Sequence, residues 1–186
     1  MKPREIGWVS LALLVLLGWG FWRNRHVVKP VLVIKEFPLF TGKEPLRKVR
    51  LTFPSKEKPG FVQEDFQIYA TESLGAQIKQ VLRLLFKGPR IAGAASAFPG
   101  TAELAWKYRE AYLADSGLLV IDLDSQVLQL HPGGTTFEYM SLYTLIKSLK
   151  DNFKEVKKVQ LLVAGESRES LAGHLDISEP LDLESF

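Results

Sequence analysis

Hydrophobic and polar positions follow two different regimes along the chain. Ile6 to Trp22 holds no charged residue and is dense in leucine, with Leu11, Leu13, Leu14, Leu16 and Leu17 in one run. A helix that crosses a bilayer needs about 20 apolar residues, with a lower limit near 17, and this stretch sits at that limit. Trp8 near one end and Trp19 and Trp22 near the other fit aromatic belts at two membrane interfaces. A cleaved signal peptide would carry small residues at a cleavage site. Here the run ends in Gly18-Trp19-Gly20-Phe21-Trp22-Arg23, and no Cys follows to take a lipid. The expectation is an uncleaved signal-anchor over residues 1–24 that meets membrane lipid as one helix. Lys2 and Arg4 precede the run and Arg23, Arg25 and Lys29 follow it, so the positive-inside rule gives no orientation.

Residues 25–46 read as a juxtamembrane linker, broken by Pro38, Gly42 and Pro45. From Lys48 the period becomes two. Val49, Leu51 and Phe53 share one face of a predicted strand, and Phe66, Ile68 and Ala70 share one face of a second, its antiparallel partner. Leu74, Ile78, Val81, Leu82 and Leu85 then recur at helical spacing, behind a Thr71-Glu72-Ser73 start and before a Gly88-Pro89 stop. Residues 91–101 read as a loop. Leu104 to Leu113 and Leu118 to Leu123 flank Asp115-Ser116-Gly117, which predicts a hairpin. Its second arm is apolar on both faces, as an inner strand should be. Leu142, Leu145, Ile146 and Leu149 give the stripe of a second helix, for which Thr135 and Glu138 have the spacing of a capping box. Val156 to Val163 predicts a final strand, and 171–183 closes the chain without a clear pattern. Residues 47–181 are thus the expected domain, with 182–186 as a tail.

Composition changes this picture in one respect. The net charge is +3, but residues 1–30 hold Lys2, Arg4, Arg23, Arg25 and Lys29 against Glu5, a net of +4, so residues 31–186 carry 3 − 4 = −1. The basic character surrounds the apolar run. A near-neutral domain lacks the footprint that phosphate-backbone binding needs, so nucleic acid is not an expected partner. The absence of Cys excludes disulfides and thiolate metal sites.

Candidate chemistry is sparse. Asp122 and Asp124 stand two apart at the end of a predicted strand, the arrangement of a carboxylate pair for glycan hydrolysis, with Glu138 as a third acid. The plainer reading makes them polar punctuation where a buried strand meets water, and makes Glu138 half of the capping box. Gly133-Gly134 before a helix matches neither the phosphate loop nor the dinucleotide fingerprint. His26, His131 and His174 each lack a second ligand at metal spacing, and no G-x-S-x-G occurs. Tyr108, Tyr112, Tyr139 and Tyr143 with Trp106 are candidates for sugar stacking, although such rings more often pack a core. No catalytic, cofactor-binding or metal-binding residue is assigned. Tyr108, Tyr112, Asp122 and Asp124 are the candidate partner or glycan surface.

In order, the motifs from about Arg47 to Leu181 resemble the GerMN domain of the sporulation and spore-germination GerM family. They are Val49 to Pro54, Phe61 to Glu64, Val81 to Pro89, Pro99-Gly100-Thr101, Asp115 to Asp122, Gly133 to Leu149, Val156 to Gly165 and Gly173 to Leu181. An Arg frequent near the family's second strand stands here as Asp65 or Phe66. The resemblance implies an α+β fold, a single mixed or antiparallel sheet with about two helices packed on it, similar to the ring-building motif. It also implies a domain on the extracytoplasmic (periplasmic) side of the cytoplasmic membrane, and no enzymatic activity. The expected function is a non-catalytic interaction or assembly module in the bacterial cell envelope, holding an envelope protein partner. Peptidoglycan binding is the alternative, and a cryptic glycan hydrolase ranks below both.

Overall fold

The computed structural model describes residues 44–98 and 108–186. The expected anchor residues Trp8, Leu11, Leu13, Leu14, Leu16, Leu17, Trp19 and Trp22 lie outside the described residues, as do most of the linker, Pro99 to Thr101 and Trp106. Among the described residues, no helix is long and apolar enough to cross a membrane.

Strands β1 (Leu46–Pro54) and β2 (Phe61–Tyr69) form an antiparallel hairpin in which Val49 faces Phe66 and Leu51 faces Glu64. Alternation buries Val49, Leu51 and Phe53 from one strand and Phe66 and Ile68 from the other. Helix α1 (Leu74–Lys87) starts where the Ser73 hydroxyl accepts the Ala76 N–H, and it ends at Gly88 with φ 91°. Its buried residues include the predicted Ile78, Val81, Leu82 and Leu85.

Strands β3 (Tyr108–Leu113) and β4 (Leu118–Leu123) form the second hairpin. A short helix α2 (Val127–Leu130), absent from the sequence expectation, and α3 (Thr135–Asn152) carry the chain across to β5 (Lys158–Val163), which runs parallel to β4. A parallel neighbour requires such a crossover. The two-residue β6 (Leu181–Asp182) pairs with β5, and Leu183 in the following 3₁₀ turn is buried. The tail thus packs against the body.

The architecture is α+β, but with two sheets, β1-β2 and β3-β4-β5-β6, where one was expected. The reason lies at the edges of the first hairpin. The Asn152 side chain accepts the Arg50 N–H at 3.0 Å and donates to the Arg50 carbonyl at 2.7 Å, while Ser148 Oγ accepts the Thr52 N–H at 2.9 Å. Helix α3 therefore occupies the outer edge of β1 as a strand would. On the other side Gln80 of α1 pairs in the same two-bonded way with the N–H and C=O of Tyr69, at 2.8 and 3.0 Å. Side-chain amides thus take the place of a neighbouring strand at Arg50 on one edge and at Tyr69 on the other, and β1-β2 stands as a separate sheet.

The capping box also requires correction. The N-cap of α3 is Gly134, at φ 84°, and no side chain caps it. Thr135 lies inside the helix and Glu138 reaches elsewhere. Thr135→Ala should therefore leave the urea midpoint unchanged, where a capping Thr would cost about 1 kcal/mol on removal. A clear drop in midpoint would restore the cap.

Candidate functional site

The three candidate acids hold three different segments. Asp122 lies on β4 with its side chain off the buried face. It pairs with Arg109 at 3.3 Å and accepts the Gly165 N–H at 2.7 Å, closing the turn after β5. Asp124 lies beyond the strand and accepts the Gln126 N–H at 2.9 Å, which starts the turn into α2. Glu138 is 1% exposed. Its Oε1 accepts the His174 N–H at 3.2 Å and meets His174 Nδ1 at 3.3 Å, and its Oε2 accepts the Leu175 N–H at 2.7 Å. Each carboxylate is committed to local architecture, and Glu138 fastens the closing segment to α3.

His131 stands beside this anchor. Its Nδ1 accepts the Gly133 N–H at 3.1 Å, so the ring proton sits on Nε2, which faces Ser141 Oγ at 3.2 Å. Burial lowers the His131 pKa below its ordinary value, and nearby Glu138 opposes that shift only in part. A histidine held neutral in the fold takes up its proton at higher pH once unfolded. Stability from this site is therefore complete above the unfolded value of about 6.5 and is lost as pH falls from there toward the folded pKa. Unfolding midpoints should drop as pH falls below about 6.5, and His131→Gln should flatten that limb. An equal slope in the variant would place the titration elsewhere. Among the described residues no group of three ligands is arranged for a metal ion.

The predicted aromatic surface separates into parts. Tyr112 projects from β3 at 61% exposure. Tyr108, on the same strand, donates its hydroxyl proton to the Lys79 carbonyl at 3.2 Å and lies 6.0 Å from Phe86, so it serves packing more than recognition. Burial raises its hydroxyl pKa above the ordinary value. Tyr139 and Tyr143 of α3 belong elsewhere, stacked with Phe61 at the start of β2. The Phe61–Tyr143 centroids are 4.2 Å apart and Tyr139–Tyr143 are 5.6 Å apart, with Tyr139 44% exposed. The i, i+4 spacing of the two tyrosines puts them on one helix face. The contribution of Phe61 from a distant strand had no local signal.

A second unpredicted feature is an open cleft of about 750 Å³ between β2 and the end of α1, lined by residues that include Lys48, Asp65, Gln67, Lys87 and Arg90. Its wall rests on Glu64, an acid on the buried face of β2 at 8% exposure. Burial raises the Glu64 pKa, but hydrogen bonds from the Arg90 backbone and guanidinium outweigh this and hold it below the ordinary carboxylate value. Arg90 Nε reaches Glu64 Oε1 at 2.6 Å, its Nη2 donates to the Asp65 carbonyl at 2.6 Å, and its guanidinium lies 4.1 Å from the Phe66 ring centroid. The guanidinium beside Asp65 and Phe66 thus comes from residue 90. The sequence signal was available: Glu64 shares its parity with Phe66 and Ile68, and a charge on a buried face needs a partner.

Comparison with known proteins fits this architecture. Residues 50–169, or 120 of 186, match the family described as Germane: Sporulation and spore germination. The chain belongs to this GerMN-related family. Among solved structures it is similar to the first GerMN domain of the sporulation protein GerM from Bacillus subtilis, at TM-score 0.55 and 17% identity, covering 73% of this chain and 97% of that one. It is also similar to the tandem GerMN domains of the same protein, at TM-score 0.55 and 16% identity, covering 74% of this chain and 45% of that one. A protein described as a putative lipoprotein from Clostridium perfringens aligns at TM-score 0.48 and 22% identity, over 75% of this chain and 89% of that one. The comparison with curated proteins gives no match.

Proposed function

We propose that this chain is a non-catalytic interaction module of the bacterial cell envelope, tethered at the cytoplasmic membrane by its N-terminal segment with the GerMN-related domain on the extracytoplasmic side. The observation that carries this reading is the Phe61–Tyr139–Tyr143 cluster, a packed aromatic face with Tyr139 44% exposed. Aromatic faces of this kind are common anchors of protein interfaces. Membership of a sporulation and germination family agrees with an envelope role, and the structural commitments of Asp122, Asp124 and Glu138 weaken the hydrolase reading. The partner is an envelope protein. Peptidoglycan is the second reading, because ring faces also stack on sugars.

A photoreactive residue at Tyr139, introduced into the full chain in native membranes, tests the proposal. The expected result is one discrete protein adduct. Repeated recovery of the chain alone would count against a protein partner, and adducts with wall fragments would favour the second reading.

A further inference from the structure

The edges of the β1-β2 hairpin are not sealed evenly. In an antiparallel pair, each residue directs its N–H and C=O to the same side, and successive residues alternate sides. Arg50 directs both toward Asn152, away from β2. Its register partner Asp65 therefore directs both away from β1, and Tyr69 does the same. Arg90 Nη2 on the Asp65 carbonyl and Gln80 on both groups of Tyr69 confirm that direction. Gln67 lies midway between them with the same parity. Among the described residues nothing hydrogen-bonds its N–H or its C=O on that side. The gap opens into the 750 Å³ cleft.

The charges around the gap set what can enter. Lys48, Lys87 and Arg90 line the cleft with Asp65, and Glu64 behind Arg90 brings the local net to 3 − 2 = +1. Lys48 is bonded to Asp65 and Arg90 to Glu64, which leaves Lys87 without an ion pair among the described residues. Lysines on a sheet edge repel a second copy of the same edge. They do not repel an acidic strand.

We propose that the β2 edge at Gln67 accepts an extended acidic segment of a partner protein by strand addition, with Gln67 supplying the backbone pair and Lys87 the charge selection. The two flanking clamps fix the site. Gln80 on Tyr69 and Arg90 on the Asp65 carbonyl flank Gln67, and beyond Arg90 the outward N–H of Asp65 and both outward groups of Gln63 carry no hydrogen bond among the described residues. Carboxylates on the incoming strand meet Lys87, and a lysine-bearing strand meets repulsion. This rests on the interaction-module reading and names the chemistry of the partner.

The test uses the full chain, ¹⁵N-labelled in detergent micelles, and a synthetic peptide of about eight residues alternating valine and glutamate. A valine–lysine peptide and a backbone N-methylated valine–glutamate peptide serve as controls. The glutamate peptide should shift the Gln67 amide signal and slow its hydrogen exchange by about ten-fold, while both controls leave it unchanged. Lys87→Gln, if its unfolding midpoint is unaltered, should remove the preference for glutamate over lysine. A Gln67 amide unmoved by the glutamate peptide, or moved equally by the N-methylated one, would overturn strand addition. Equal response to the lysine peptide would overturn the charge selection. If Gln67 stays silent while Tyr139 still crosslinks to a protein, the edge proposal fails and the module reading stands. If both fail, neither holds.

Discussion

Glu138→Ala should destabilise the domain by about 3 kcal/mol, read as a lower urea midpoint at unchanged slope. The wild-type carboxylate accepts two backbone N–H groups, of His174 and Leu175, from inside α3. Hydrogen bonds to a charged acceptor contribute about 1.5–3 kcal/mol each, and their loss exposes donors that have no other partner. The full sum overstates the cost, because the closing segment lies partly at the surface and water reaches its amides once the carboxylate is gone. Glu138→Gln should lose about half as much, since an amide keeps one acceptor oxygen but turns an NH₂ toward the second donor. Hydrogen exchange at Leu175 should accelerate in both variants. A Glu138→Ala midpoint within experimental scatter of the wild type would mean that the buried side chains of Leu171 and Ile177 hold the segment unaided.

Gly117→Ala should cost about as much, for a different reason. Gly117 turns the β3-β4 hairpin at φ 85°, where an L-residue with a Cβ is disfavoured by about 1–2 kcal/mol. An added Cβ would also stand 2.8 Å from the Glu155 carbonyl oxygen and 2.7 Å from Lys157 Cγ. The lysine side chain can swing aside, but the Glu155 backbone is tied into the turn that delivers β5. The Gly117 carbonyl accepts the Lys157 N–H at 2.8 Å, so hairpin and turn would move together. Thermal denaturation should show a loss of roughly 10 °C for a domain of this size. A loss below 2 °C would mean that the two turns separate at little cost.

These two sites differ in how far the sequence reveals them. Gly117 stood in an Asp115-Ser116-Gly117 turn between two apolar runs, and local chemistry was enough to predict the hairpin around it. The stripes of α1 and α3 and the pairing of β1 with β2 were legible for the same reason, because period and punctuation are local. Glu138 was misread for a physical reason too. Its spacing from Thr135 is that of a cap, but the positive φ of Gly134 places the helix start one residue earlier, and the side chain is buried against a segment 36 residues away. The number of sheets was equally hidden. It depends on Asn152 and Gln80 reaching the outer edges of the first hairpin, and nothing near Arg50 or Tyr69 announces either partner. Asp122 and Asp124 bond to different local segments, the Gly165 turn and the start of α2, and the aromatic residues divide between packing at Tyr108, exposure at Tyr112 and the Phe61 cluster on α3.

The proposed non-catalytic role is best tested with intact peptidoglycan sacculi and the full-length chain in detergent. After incubation and centrifugation, both fractions are assayed for released fragments. The expected result is no soluble fragment above the level of a boiled control, with the protein in the supernatant if its partner is a protein and in the pellet if the wall itself is bound. Time-dependent release of fragments, abolished by Asp122→Asn in a protein that still folds, would contradict the proposed function and make the chain an enzyme.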